Sequence, residues 1–128
     1  MIGFFIEQYG RPGLHQQFLI LSDGLLQYCQ SGTRRRLTFH DPCQLVRRGG
    51  LTEAPRRLAG RASANLVDMP GSGAASFCCG GGGGVSAIHR AEPLRFAAFE
   101  SKKQQIDATG AEALVTACGN CRNVLEEA

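Results

Sequence analysis

Three short apolar runs in this chain lead into cysteines, and that coincidence constrains the fold more than any other feature. Leu37-Thr38-Phe39-His40 passes through Asp41-Pro42 into Cys43. Leu66-Val67-Asp68-Met69 reaches Cys78-Cys79 after an eight-residue loop. Ala113-Leu114-Val115-Thr116-Ala117 runs directly into Cys118, with Cys121 three residues on. Each run is short and stops at Pro, Gly or Cys, which suits buried strands of a parallel sheet.

Helical segments fall between the runs. Leu14 to Gln30 carries apolar residues at Leu14, Phe18, Leu21, Leu25 and Leu26, with Gly24 weakening its middle. Glu53 to Ala59 is short, with Pro55 near the first turn, where proline is tolerated. Pro93 to Thr109 draws apolar contacts from Phe96, Phe99 and Ile106 and stops at Gly110. Arg122 to Glu127 forms a last short helix. The order α, β, α, β, loop, α, β, α predicts an α/β fold: a small parallel sheet with flanking helices and right-handed crossovers. At 128 residues the chain predicts a single core. No internal repeat is visible.

In an open α/β sheet, ligand sites gather beyond the carboxyl ends of the strands. Five thiols therefore converge on one sheet edge, although 34 residues separate Cys43 from Cys78 and 38 separate Cys79 from Cys118. Cys29 stands apart and reads as a buried structural thiol. Six cysteines in 128 residues fall below the density of a disulfide scaffold, about 8–10%. Met1 to Ile6 has no basic flank and no small-residue cleavage site, so the expected compartment is the reducing cytoplasm. A bond between adjacent Cys78 and Cys79 would be strained, and five thiols cannot all pair. No apolar run approaches the ~20 residues that span a bilayer, so any membrane attachment would come through partner subunits.

A metal reading uses all five thiols, because thiolates are soft ligands suited to iron–sulfur clusters or zinc. Tetrahedral zinc takes four ligands and leaves one over, so five favours a cluster. Gly80 to Gly84 fit this reading: without side chains they can wrap a cluster and aim N–H groups at sulfur. A phosphate-binding loop is the rival, but Val85, Ser86 and Ala87 follow instead of Lys-Ser/Thr. Cys118-Gly119-Asn120-Cys121 after a strand is also the setting of a thioredoxin-like dithiol. A dithiol acting alone has no use for Cys43, Cys78 and Cys79.

Charge is uneven. Residues 1–64 carry nine basic and four acidic side chains, whereas residues 65–128 carry five and seven. Eight arginines lie between Arg34 and Arg61, against only Asp41 and Glu53. A nucleic-acid surface is one reading, but aromatics are scarce and no nucleic-acid motif is present, so no nucleic-acid partner is expected. A solvated arginine-rich face and a role near the thiols are the others.

Cys43, Cys78-Cys79-Gly80 and Cys118-x-x-Cys121, with their long spacers, resemble the cysteine-rich CCG domain. The surrounding words match too: His40-Asp41-Pro42-Cys43, Glu53-Ala54-Pro55-Arg56, Phe77-Cys78-Cys79-Gly80 with trailing glycines, Thr109-Gly110-Ala111, and Val115-Thr116-Ala117-Cys118. The likeness runs from about residue 37 to 125 and divides the chain into an N-terminal helical segment, 1–33, and a cysteine-rich domain, 34–128. The family includes the cysteine-rich components of heterodisulfide reductases and the iron–sulfur proteins of glycolate, lactate and glycerol-3-phosphate oxidation.

The resemblance implies a noncubane 4Fe-4S cluster held by Cys43, Cys78, Cys79, Cys118 and Cys121, with Gly80 and Gly81 against it. Gln44 and Gly119 depart from the family's frequent His and Pro without removing a thiolate. Many relatives carry two such motifs and a ferredoxin segment, so this single motif resembles the C-terminal piece of a longer protein. Five thiolates and sulfides leave the site anionic, so nearby cations are expected. Arg47 and Arg48, just past Cys43, are the best placed. His40 and Asp41 are expected to orient the Cys43 loop by hydrogen bonds to its ligand, while His15 and His89 read as structural or surface residues.

The first expectation is an iron–sulfur electron-transfer domain of a heterodisulfide reductase-like oxidoreductase complex that relays electrons or reduces a disulfide. Its expected partners are other redox subunits of ferredoxin, flavin or membrane-quinone type, with a small thiol or disulfide as candidate substrate. The second, different in class, is a zinc-bound or cluster-free interaction module, or a truncated remnant that only docks to partners.

Overall fold

A computed structural model describes residues 5–8 and 34–127. The expected helix over Leu14 to Gln30, with His15 and Cys29, lies outside the described residues. Among these residues four strands form one sheet: β1 (Phe5–Gln8), β2 (Leu37–His40), β3 (Leu66–Val67) and β4 (Ala113–Thr116), in the order β1-β4-β2-β3. Strands β2 and β4 run parallel, pairing Leu37 with Ala113 through His40 with Thr116. Strand β3 continues the parallel set, pairing Leu66 and Val67 with Leu37 and Thr38. The small parallel sheet predicted from the sequence is therefore present. An antiparallel strand, β1, is added along the outer side of β4, and the apolar runs had not announced it.

Both faces of the sheet are covered, which explains why β2 and β4 are buried at every position. Side chains alternate between faces along a strand. Leu37, Phe39, Ala113 and Val115 pack on one side with Ala59. Leu114 points to the other, into a cluster of Met69, Cys79, Phe99, Ile106, Cys121, Val124 and Leu125. The same alternation, with His40 paired to Thr116, turns the His40 side chain towards the cysteine side. The strand expected over Leu66 to Met69 stops at Val67: Asp68 faces solvent and Met69 enters the core beside the thiols.

Among the described residues three α-helices flank the sheet: α1 (Glu53–Ala62), α2 (Glu92–Asp107) and α3 (Gly119–Glu127). Helix α1 runs three residues past its expected end at Ala59, because Ala59 and Ala62 both face the core. Helix α3 begins before the expected Arg122, which brings Cys121 into its first turn. In α2 the buried positions are Arg95, Phe99, Lys102 and Ile106, a stripe at helical spacing. Phe96, expected in the core, lies about 100° round the helix from Arg95 and is 41% exposed. Two basic side chains, rather than that aromatic, complete the buried face. None of the described helices is long and apolar enough to cross a membrane.

Candidate metal centre

Each strand end delivers its thiol by a different local device. After β2, Pro42 accepts hydrogen bonds from the Leu45 and Val46 N–H groups, both 3.0 Å, and starts a turn with Cys43 at its head. The turn continues as one turn of π-helix, Gln44–Arg48, a geometry often found at functional sites. The Arg47 guanidinium then donates to the Ser76 carbonyl, tying the Cys43 turn to the loop that carries Cys78 and Cys79.

Behind Cys79 the glycines divide. Gly80 has φ +88°, and a Cβ there would lie 2.8 Å from the Ala98 Cβ on α2. A Cβ on Gly81 would lie 2.4 Å from Val124 Cγ2 on α3. These two residues wedge the cysteine loop between two helices, and Asn120 Nδ2 donates to the Gly81 carbonyl at 2.8 Å. The Gly80 N–H also donates to Cys78 Sγ at 3.4 Å, the N–H to sulfur contact expected of this loop. Gly82, Gly83 and Gly84 would meet nothing within 4 Å, so the close approach is confined to the first two glycines of the run.

The third strand delivers its pair through a helix start: the Cys118 carbonyl accepts the Arg122 N–H at 3.0 Å. Cys79 and Cys121 are buried, while Cys43, Cys78 and Cys118 are partly exposed, and all five are free thiols. An inner pair and an outer rim of three result. A sulfur–sulfur hydrogen bond of 3.3 Å joins Cys79 to Cys121. His40, fully buried, completes a group whose ligand atoms all lie within 4.8 Å of one another.

The thiols feel each other. The Cys121 thiol's hydrogen bond holds Cys79 at about 4, against the opposing effect of burial and with help from His40 and the Gly81 N–H. Cys121 is pushed up, first by keeping the proton it shares with Cys79, then by burial and by the charges of Cys79 and Cys118. Burial pushes the Cys43 thiol up, and Cys78 and Cys79 push it further. Within the inner pair Cys79 is thus the sulfur more readily deprotonated.

His40 and Asp41 do different work from that expected. Asp41 Oδ2 accepts from Arg56 Nη1 at 2.6 Å and from the Gly73 N–H at 2.8 Å, and its carbonyl accepts from Ser76 Oγ at 3.2 Å. It therefore anchors the loop leading to Cys78, not the Cys43 turn alone. Arg56 also bonds Asp68 and lies over the Phe39 ring, 5.9 Å from its centroid, which gives the Glu53-Ala54-Pro55-Arg56 segment its purpose. The His40 imidazole faces the inner thiols, and neither ring nitrogen has a hydrogen-bond partner among the described residues.

The arginine-rich stretch is largely spent on the fold. Arg36 Nε donates to the Thr109 carbonyl at 2.8 Å, Arg35 pairs with Glu112, and Arg48 donates to Gln44 Oε1 at 3.4 Å. The hydrogen bonds of Arg47 and Arg48 go to Ser76 and Gln44, not to a cysteine. A buried cation beside this cluster is Lys102, whose ammonium lies 3.9 Å from the Sδ of Met69, a neighbour of Cys79 and Cys121, and which nothing in the sequence pattern had singled out. It is 1% exposed and lies in the electrostatic field of Asp41 first, then of Cys79, Cys78 and Cys121. The available signal was its place on the stripe of Arg95, Phe99 and Ile106.

These residues fit a metal group bound through sulfur. The donor set is five thiols, a backbone N–H is aimed at sulfur, and a buried imidazole has unused ring nitrogens towards that set. Buried polar atoms are rarely left unpaired unless a partner or a functional role accounts for them.

Fold and site together define a thiol-rich α/β domain with soft-metal donors beyond the carboxyl ends of parallel strands. The family model of the CCG cysteine-rich domain matches residues 37–126, and the chain belongs to that family. It is 38% identical over 95 residues to a probable membrane-anchored ferredoxin of Chromohalobacter salexigens, covering 74% of this chain and 14% of the relative. It is 35% identical over 94 residues to one component of the dihydromethanophenazine:CoB–CoM heterodisulfide reductase of Methanosarcina barkeri, covering 73% and 22%. With one component of the fumarate reductase (CoM/CoB) of Methanothermobacter marburgensis the identity is 29% over 123 residues, covering 91% and 24%. The chain thus spans less than a quarter of the length of these relatives. No solved structure gives a significant match.

Proposed function

We propose that this chain is an electron-transfer domain of an iron–sulfur oxidoreductase, holding a noncubane 4Fe-4S cluster through Cys43, Cys78, Cys79, Cys118 and Cys121. The observation that carries the reading is the convergence of thiols from three strand ends around a buried pair 3.3 Å apart. Such a cluster supplies reversible one-electron storage. The chain's own residues position the thiolates, donate the Gly80 N–H to Cys78, and shield Cys79 and Cys121 from water. The partly exposed rim of Cys43, Cys78 and Cys118 is the side from which a redox partner or a small disulfide would approach. Its relatives' lengths support a module working inside a larger assembly, with electrons arriving from a ferredoxin-type, flavin or quinone-linked partner. Reduction of a disulfide there would take two electrons and two protons and release two thiols.

One observation favours a second reading. His40, Cys79 and Cys121 form a compact three-donor group of the kind that holds zinc, with a fourth position left for another thiolate. Anaerobic purification followed by iron, sulfide and zinc analysis separates the two, and EPR after oxidation and reduction identifies a cluster. Loss of iron in Cys43→Ser but not in Cys29→Ser supports the ligand assignment; the reverse pattern contradicts it.

A further inference from the structure

Lys102 projects from the middle of α2 into the core that contains Cys79 and Cys121. At 1% exposure it does not reach solvent, unlike the usual lysine, whose ammonium stays in water while its stem packs. Its ammonium donates to Gln105 Oε1 at 2.9 Å and touches Met69 Sδ at 3.9 Å, both uncharged. None of the ion pairs among the described residues includes it. Asp41 lies within its electrostatic reach, but that carboxylate is already bound by Arg56. Burying a charge is costly unless an opposite charge lies near. Burial pulls the Lys102 pKa down, and Asp41 first, then Cys79, Cys78 and Cys121, hold it up, so the thiols share with Asp41 the negative charge opposite this ammonium.

Resting on the iron–sulfur reading above, we propose that Lys102 is the fixed countercharge of the thiolate centre, a positioning residue that raises the bound group's reduction potential. Reduction adds an electron to an already anionic centre, and a buried cation favours that more negative state. Arg47 and Arg48, committed to Ser76 and Gln44, leave this role to the helix on the other side of the loop.

The test compares wild type, Lys102→Met and Lys102→Arg as full chains, reconstituted anaerobically with iron and sulfide and titrated potentiometrically with EPR detection. Lys102→Met is expected to disfavour reduction by tenfold or more, about 59 mV lower for one electron, with Lys102→Arg near wild type. An unchanged potential in Lys102→Met, whatever that variant's stability, marks a purely structural lysine and overturns the proposal. If Lys102→Met takes up no cluster, wild-type iron content in Lys102→Arg supports the countercharge, and loss in both overturns it. A wild-type chain that takes up no cluster overturns the iron–sulfur reading and this inference together.

Discussion

At the scale of single residues, the site is organised by who holds which proton and which charge. The hydrogen bond from Cys121 pulls the Cys79 pKa down to about 4, whereas an unfolded thiol titrates near 9. Between those values folding of the metal-free chain releases a proton, so its stability is expected to rise with pH from about 5 to 8. Above about 9 the unfolded chain loses both protons while Cys121 keeps its own, and stability falls. Urea unfolding under reductant across pH 5 to 10 checks this, and a flat profile would contradict it. Asp41 offers a second residue-scale prediction, because its side chain is 1% exposed and depends on Arg56. Arg56→Met leaves that carboxylate buried without its cation, bonded to the Gly73 N–H, with an expected cost of about 3–5 kcal/mol in urea unfolding. The double variant Asp41→Asn/Arg56→Met is expected to recover part of it, and a single variant as stable as wild type would contradict the anchoring role.

At the scale of elements, the positions of the thiols depend on how loops seat against helices. The Gly80–Gly81 segment fits between α2 and α3 only because neither residue has a side chain. Gly81→Ala must displace Val124 and α3, which carries Cys121, with an expected loss of about 1–3 kcal/mol and reduced iron content. Gly82→Ala, with open space around it, is expected to stay within about 0.5 kcal/mol of wild type. Equal effects at both positions would contradict the wedge. The strands that could be read from the sequence were those with every position buried: Leu37–His40 was found to the residue, and Ala113–Thr116 to within one. Strand β3 was overextended because Asp68 and Met69 continue an apolar-looking run, and only tertiary contacts reveal that Asp68 turns out to Arg56. Lys102 stayed hidden for the opposite reason. A lysine between Ser101 and Lys103 reads as solvent-facing until the helix phase is set by Phe99 and Ile106. Convergence of the cysteines on one edge was legible because it follows from strand ends alone. The division of the glycine run and the facing of His40 to the inner thiols depend on packing and alternation, which spacing does not encode.

At the scale of the whole molecule, the described fold is a sheet covered on both faces with its chemistry at one end. Strand β4 inserts between β1 and β2, so Cys118 and Cys121 arrive beside the Cys43 turn, while the loop after β3 carries Cys78 and Cys79 across to meet them. Two core clusters hold the two faces, and Cys78, Cys79, Cys118 and Cys121 belong to or pack against only one of them. That asymmetry leaves the α1 face to stability and makes the α2–α3 face the floor of the site. The central claim is that five thiols gathered there bind an iron–sulfur cluster. Metal and sulfide analysis of the anaerobically purified chain tests it most directly. The expected result is about four irons and four sulfides per chain, lost together in Cys79→Ser, as a 4Fe-4S cluster on these ligands requires. Stoichiometric zinc with no iron or sulfide would contradict it.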